Sequence, residues 1–205
     1  MAVSMNAQSI SGKLVNEKNE PLAYANVVLL SMPDSTFVSG TISDEMGSFQ
    51  ISKDEKGQLV RISSIGYATI YKKVNGGDFG VIQMTSDAQL LGEVTVKGTL
   101  PTTRLKGDAM ITGVTGTLLE RAGTAENLLN QIPNVTAQDG SVSVFGRGTP
   151  EIYINGRKVR NSSELDQLSS ANVKSVEVVN NPGARYDASV KAVIRITTKK
   201  QKGEG

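Results

Sequence analysis

Few residues in this sequence have types and spacing that could do chemistry. Phe145-Gly146-Arg147-Gly148 has the look of a glycine-rich phosphate cradle. Such a cradle carries a third glycine and opens a helix. Neither is found here, so the stretch reads as a tight turn whose Arg147 pairs with an acidic residue. Asp44-Glu45 and Asp54-Glu55 are adjacent carboxylates that could share a proton or hold calcium. Both lie among turn-forming residues without the ligand spacing of a calcium loop, which favours solvated turns. Asn134-Val135-Thr136 and Asn161-Ser162-Ser163 match a glycosylation acceptor, a pattern too short to carry a function. Gly92-Glu93-Val94-Thr95-Val96-Lys97-Gly98 offers backbone chemistry instead. A β-prone pentamer between glycines leaves donors and acceptors that a partner sheet can capture by strand addition. An ordinary last strand or linker is the alternative reading of the same residues.

Composition narrows the chemistry further. The 205 residues contain no cysteine and no histidine, which removes thiol nucleophiles, thiolate metal sites, and the commonest general base and zinc ligand. No acid pair converges, so no catalytic, cofactor-binding or metal-ligating residues are assigned, and the expectation is that the chain is not an enzyme. The net charge is +2, and no basic block sits on a predicted helix, which argues against nucleic-acid binding. Charge is uneven: residues 8–91 carry seven basic against nine acidic side chains, and residues 92–205 carry fifteen against eleven. No apolar run approaches the roughly 20 residues of a membrane-spanning helix. The small residues before Gln8 read either as the tail of an export signal or as a flexible overhang.

Those residues must be positioned by two different textures of chain. From Ile10 to Thr85, about seven short runs alternate apolar and polar side chains, the pattern of an all-β sandwich. They are Ser9–Val15, Ala25–Leu30, Phe37–Ser43, Ser48–Ser52, Leu59–Ser64, Ala68–Val74 and Val81–Met84, separated by stretches such as Asn19-Glu20-Pro21 and Asp44-Glu45-Met46-Gly47. Leu14, Val27, Leu29, Ile42, Phe49, Ile51, Val60, Ile62 and Ile70 are the expected core. Residues 92–104 read as a linker. Beyond it the chain is α+β on a small mixed sheet. Thr124 caps a helix that buries Leu128, Leu129 and Ile132 and stops at Pro133, and a second helix starts near Ser162 or Ser163 with Leu165 and Leu168 inward. Extended runs are expected at Ser141–Phe145, Glu151–Ile154, Val173–Val179 and Ala192–Thr198. Asn155-Gly156 between β-formers is a hairpin signal.

The first half resembles a known family. Ile10-Ser11-Gly12-Lys13-Leu14, Pro21-Leu22-Ala23-Tyr24-Ala25-Asn26-Val27, Thr41-Ile42-Ser43-Asp44-Glu45-Met46-Gly47-Ser48-Phe49 and Ile62-Ser63-Ser64-Ile65-Gly66-Tyr67 occur in the order of the carboxypeptidase-regulatory-like domain. The resemblance implies a non-catalytic, seven-stranded sandwich of transthyretin or Ig-like form over residues 8–91.

Residues 105–200 resemble the plug domain of TonB-dependent receptors. The blocks are Glu126-Asn127-Leu128-Leu129-Asn130-Gln131-Ile132-Pro133-Asn134-Val135, Gly146-Arg147-Gly148, Tyr153-Ile154-Asn155-Gly156-Arg157, Val173–Pro182, and Ala184-Arg185-Tyr186-Asp187-Ala188 with Val193–Lys199. This resemblance implies a structural centre at Gly146, Arg147, Gly148, Asn155, Gly156 and Glu177, with Arg147 in a buried ion pair. It also implies that Glu93, Val94, Thr95, Val96 and Lys97 form the box on which the TonB carboxy-terminal domain docks. The chain is then the amino-terminal part of an outer-membrane nutrient transporter, at the periplasmic face of the cell outer membrane, partnered by TonB and its own or a missing β-barrel. The imported nutrient is not legible. Arg195 departs from the family, which favours an apolar residue there, and Ser189-Val190-Lys191 replaces a glycine-rich step. Gly205 falls where barrel strands should begin, so a fragment, or a barrel-less periplasmic or surface module for binding or signalling, is the alternative.

Overall fold

The computed structural model describes residues 9–87 and 99–200. The chain forms two compact units, Met1–Ala88 and Gln89–Gly205. In the first, β1 (Ser9–Val15), β2 (Asn26–Ser31), β3 (Phe37–Ile42), β4 (Ser48–Ser52), β5 (Gly57–Ser63), β6 (Ile70–Lys73) and β7 (Asp78–Gln83) build two sheets. One has the order β4-β1-β7, with β7 parallel to β1; the other is antiparallel, in the order β3-β2-β5-β6. Alternation decides which face is buried. In β4, Phe49 and Ile51 are buried while Ser48, Gln50 and Ser52 are exposed.

Ile10, Leu14, Phe49, Ile51 and Ile82 from one sheet meet Ala25, Val27, Leu29, Val60 and Ile62, together with Met84. Each large aliphatic side chain fully buried this way contributes roughly 1.5–3 kcal/mol. Ile42 and Ile70, expected in the core, are only partly buried, because they lie on β3 and β6, the outer strands of their sheet. The acidic turns lock their own backbone. Asp44 Oδ1 accepts from the backbone N–H of Met46 (2.9 Å) and Ser48 (2.8 Å), and Asp54 Oδ1 from that of Lys56 (2.8 Å).

The second unit consists of β8 (Thr103–Lys106), β9 (Ala109–Gly113), α1 (Ala125–Leu129), β10 (Val135–Gln138), β11 (Ser141–Val144), β12 (Glu151–Ile154), β13 (Arg157–Lys158), α2 (Ser163–Gln167), β14 (Val173–Val179) and β15 (Val193–Thr198). Six of the strands form a mixed sheet, β13-β12-β15-β14-β9-β8, in which β12 and β15 are parallel. β10 and β11 pair separately across Asp139-Gly140, both at positive φ. α1 begins where Thr124 Oγ1 accepts from the Asn127 N–H at 3.2 Å, and it buries Leu128 and Leu129. In α2, Leu165 is buried; Leu168, just past its end, is only half-buried.

β8, β9 and β10 were not among the expected strands, whereas β13 is the short return strand of the Asn155-Gly156 hairpin. β8 is largely exposed and β13 has two residues, so neither carries the apolar alternation that marks a strand in sequence. Thr103 and Arg104, read as linker, are the first residues of β8.

Candidate functional site

The sheet of the second unit has two unlike faces. Met110, Val178 and Ile194 line one, with Thr112, Val176 and Ile196 beside them, all buried. The alternate residues form a row across the other face. Strand register sets Lys158, Tyr153, Arg195, Glu177, Ile111 and Arg104 side by side. Opposed charges on adjacent strands attract: Arg195 Nη1 donates to Glu177 Oε2 at 3.2 Å.

The segment following β14 folds back over this face. Tyr186 and Val190 pack with Tyr153 on Ala109, Val179 and Val193. Tyr186 stands edge-on to Tyr153, with ring centroids 5.9 Å apart. Its hydroxyl accepts from Arg195 Nη2 at 2.7 Å and Nε at 3.3 Å, and the guanidinium lies 5.9 Å from its ring. Arg195, the departure from the family pattern, is thus the hub that ties this covering segment to the sheet. The row continues outward: the Tyr153 hydroxyl donates to Glu151 Oε2 at 2.7 Å, and Glu151 Oε1 accepts from Lys158 Nζ. The lysine bond first, then the tyrosine bond, holds the Glu151 carboxyl below the usual range, and Glu151 in turn pushes the Tyr153 hydroxyl up.

Of the six residues assigned to the structural centre, the structure brings Glu177 into this row. Asn155 and Gly156 lie at the end of β12, at φ 50° and 83°, the left-handed pair that a two-residue hairpin demands. Asn155 also clips β12 to β15: its Nδ2 donates to Thr198 Oγ1 at 2.8 Å and its Oδ1 accepts from the Thr198 N–H at 3.0 Å. Gly146, Arg147 and Gly148 stand apart, in an exposed turn after β11 in which the Arg147 and Gly148 amides donate to Val144 O, each at 3.0 Å. The buried ion pair expected of Arg147 is not formed; it has no ion pair among the described residues. A solvated turn costs that guanidinium no desolvation, and the charge pairing falls to Arg195 instead. Glu93, Val94, Thr95, Val96 and Lys97 lie outside the described residues.

Tyr153, Tyr186 and Arg195 were not singled out as site residues. The signal was present in Glu151 and Tyr153 two apart on one strand and in a glutamate and an arginine on neighbouring strands, but it needs a register to become legible. Two predictions follow from these contacts. Tyr186→Phe should cost about 1 kcal/mol by removing the acceptor from Arg195, and Tyr186→Ala about 1 kcal/mol more by also removing the ring contact. Urea unfolding of both variants checks this, and equal loss in the two would contradict it. Glu164, next to Arg157 at 2.5 Å, is held down to about 2 from 4.5, first by the bond from Arg157 and then by the Arg160 amide. A depressed carboxylate stabilises above its unfolded pKa, and that contribution is lost as pH falls from about 4.5 through about 2. A carbon-detected NMR titration of Glu164 should find its midpoint near 2, moving up in Arg157→Gln.

A small β-sandwich joined to an α+β unit, with no metal-binding cluster of acids and no helix long and apolar enough to cross a membrane among the described residues, defines a protein of β-rich, two-module class. The CarboxypepD_reg-like domain family matches residues 10–96, and the TonB-dependent Receptor Plug Domain family matches residues 105–192. The chain therefore belongs with the amino-terminal part of TonB-dependent outer-membrane receptors, as a carboxypeptidase-regulatory-like domain followed by a plug domain. The first match runs into the Glu93–Val96 stretch. No curated protein matches the chain.

Among solved structures, the chain is similar to a 9R-lipoxygenase from Cyanothece PCC8801 (15% identity, 40% of this chain and 18% of that one, TM-score 0.28). It is also similar to 3-chlorocatechol 1,2-dioxygenase from Rhodococcus opacus 1CP (12%, 42% and 63%, TM-score 0.27). A third is a shaft pilin from Lactobacillus rhamnosus GG (11%, 95% and 99%, TM-score 0.30). The chain spans less than two thirds of the first two. At such TM-scores none bears on what this chain does.

Proposed function

We propose that this chain is the amino-terminal extension and plug of a TonB-dependent outer-membrane nutrient transporter. It gates a barrel and couples to TonB through Glu93–Lys97, on the periplasmic side of the outer membrane. The observation that carries the reading is the order of the two family matches, sandwich then plug, with a short β-prone segment at the end of the first match, just ahead of the second. Backbone supplies the coupling chemistry: a strand-forming segment flanked by glycines can add to the edge of a partner sheet. The half-exposed polar row on the plug sheet suits an element that must open locally, since solvated hydrogen bonds make local opening cheap. The role is non-catalytic, as in both matched families. The test is capture of the TonB carboxy-terminal domain by the full chain and by a chain lacking Glu93–Lys97. Equal capture would favour a freestanding binding module.

A further inference from the structure

A groove of about 1130 Å³ lies at the β8 end of the open sheet face. The plug reading makes no use of it. Arg104, Ile111, Gly113, Lys174, Lys199 and Lys200 are among the residues that line it. Its described lining holds these four cations and no carboxylate. Lys199 is engaged by Glu120 at 2.5 Å; Arg104, Lys174 and Lys200 have no ion pair among the described residues and are exposed.

Two features mark this as a built surface rather than scattered lysines. The pairing of β14 with β15 shifts register between Val173 and Ser175, so Lys174 is the extra residue of a β-bulge. A bulge re-aims its side chain out of the strand alternation. The backbone there is anchored, since Lys174 O accepts from the Val114 and Thr115 amides at 3.0 and 3.3 Å. The floor is also empty where a side chain would normally stand: a Cβ on Gly113 would meet nothing within 4 Å. Along one wall runs β8, which pairs with β9 on one side and with no strand on its other side among the described residues.

We propose that this groove docks an extended, acidic polypeptide segment of a partner protein. Apolar side chains of such a segment would rest against Ile111 and Leu100, and its carboxylates would face Arg104, Lys174 and Lys200. This inference does not rest on the transport reading.

Fluorescence polarisation tests it, with the full chain and a fluorescein-labelled peptide alternating glutamate and valine. The glutamate peptide should bind, and added salt should weaken it because exposed charges are screened. Its glutamine counterpart should bind roughly tenfold less tightly or worse. Gly113→Val, a β-former filling empty space, should abolish binding while leaving the unfolding midpoint unchanged. Lys174→Glu combined with Lys200→Glu should weaken binding roughly tenfold or more. Equal binding of the glutamate and glutamine peptides would overturn the proposal, as would full binding by both variants. Capture of phosphatidylglycerol vesicles without any binding of peptide would also overturn it, assigning the cations to lipid.

Discussion

Removal of Glu93–Lys97 is expected to abolish capture of the TonB carboxy-terminal domain by an otherwise folded chain. Strand addition draws its affinity from main-chain hydrogen bonds, each of net worth about 0.5–1.5 kcal/mol. A handful of them lost together is several kcal/mol, roughly a hundredfold or more in affinity. The mechanism makes a sharper demand than the deletion. Because the backbone does the binding, Val94→Pro should reproduce most of the loss by removing a donor and barring the strand. Val94→Ala, which keeps both, should retain most of the binding. If proline and alanine behave alike, recognition is by side chains and the strand-addition mechanism fails. The matched sandwich family extends into these residues, so thermal unfolding of the deletion variant belongs in the same experiment. A fall in its midpoint would assign the segment to the sandwich.

The second large effect lies in the sandwich. Gly47 closes the turn between β3 and β4 at φ 77°, and a Cβ there would sit 2.3 Å from the carbonyl oxygen of Leu14 and 3.2 Å from the amide of Leu22. Both neighbours are backbone, and the Gly47 carbonyl accepts from the Leu14 amide at 2.7 Å, so the turn cannot retreat without loosening β1. Gly47→Val combines the left-handed penalty, about 1–2 kcal/mol, with that clash. A loss of at least about 3 kcal/mol is expected, a large share of the roughly 5–15 kcal/mol by which a small domain is stable. Gly76→Ala is the control, since a Cβ there would meet nothing within 4 Å, and its urea midpoint should stay near that of the parent. Similar midpoints for the two variants would show that the turn can give way.

Sequence alone identified much of this architecture because alternation and turn chemistry are local. The all-β sandwich, the Thr124 cap and the Asn155-Gly156 hairpin each depend on residues within a few positions of one another, and the structure has all three. What escaped was whatever depends on partners far along the chain. β8 and β9 show weak alternation of their own and become strands by pairing, β8 with β9 and β9 with β14. Arg147 was expected to be the paired arginine, yet Arg195 holds that place, because only register sets it opposite Glu177 and beneath Tyr186.

The amino-acid order of this protein therefore determined its class, the succession of its two modules and most turn positions, all consequences of side-chain period and backbone preference. Tertiary structure alone decided which charges meet, which sheet face stays open, and that Lys174 turns out of its strand into a groove. These outcomes follow from how distant strands align, and a shift of one residue in that alignment would send every side chain to the opposite face.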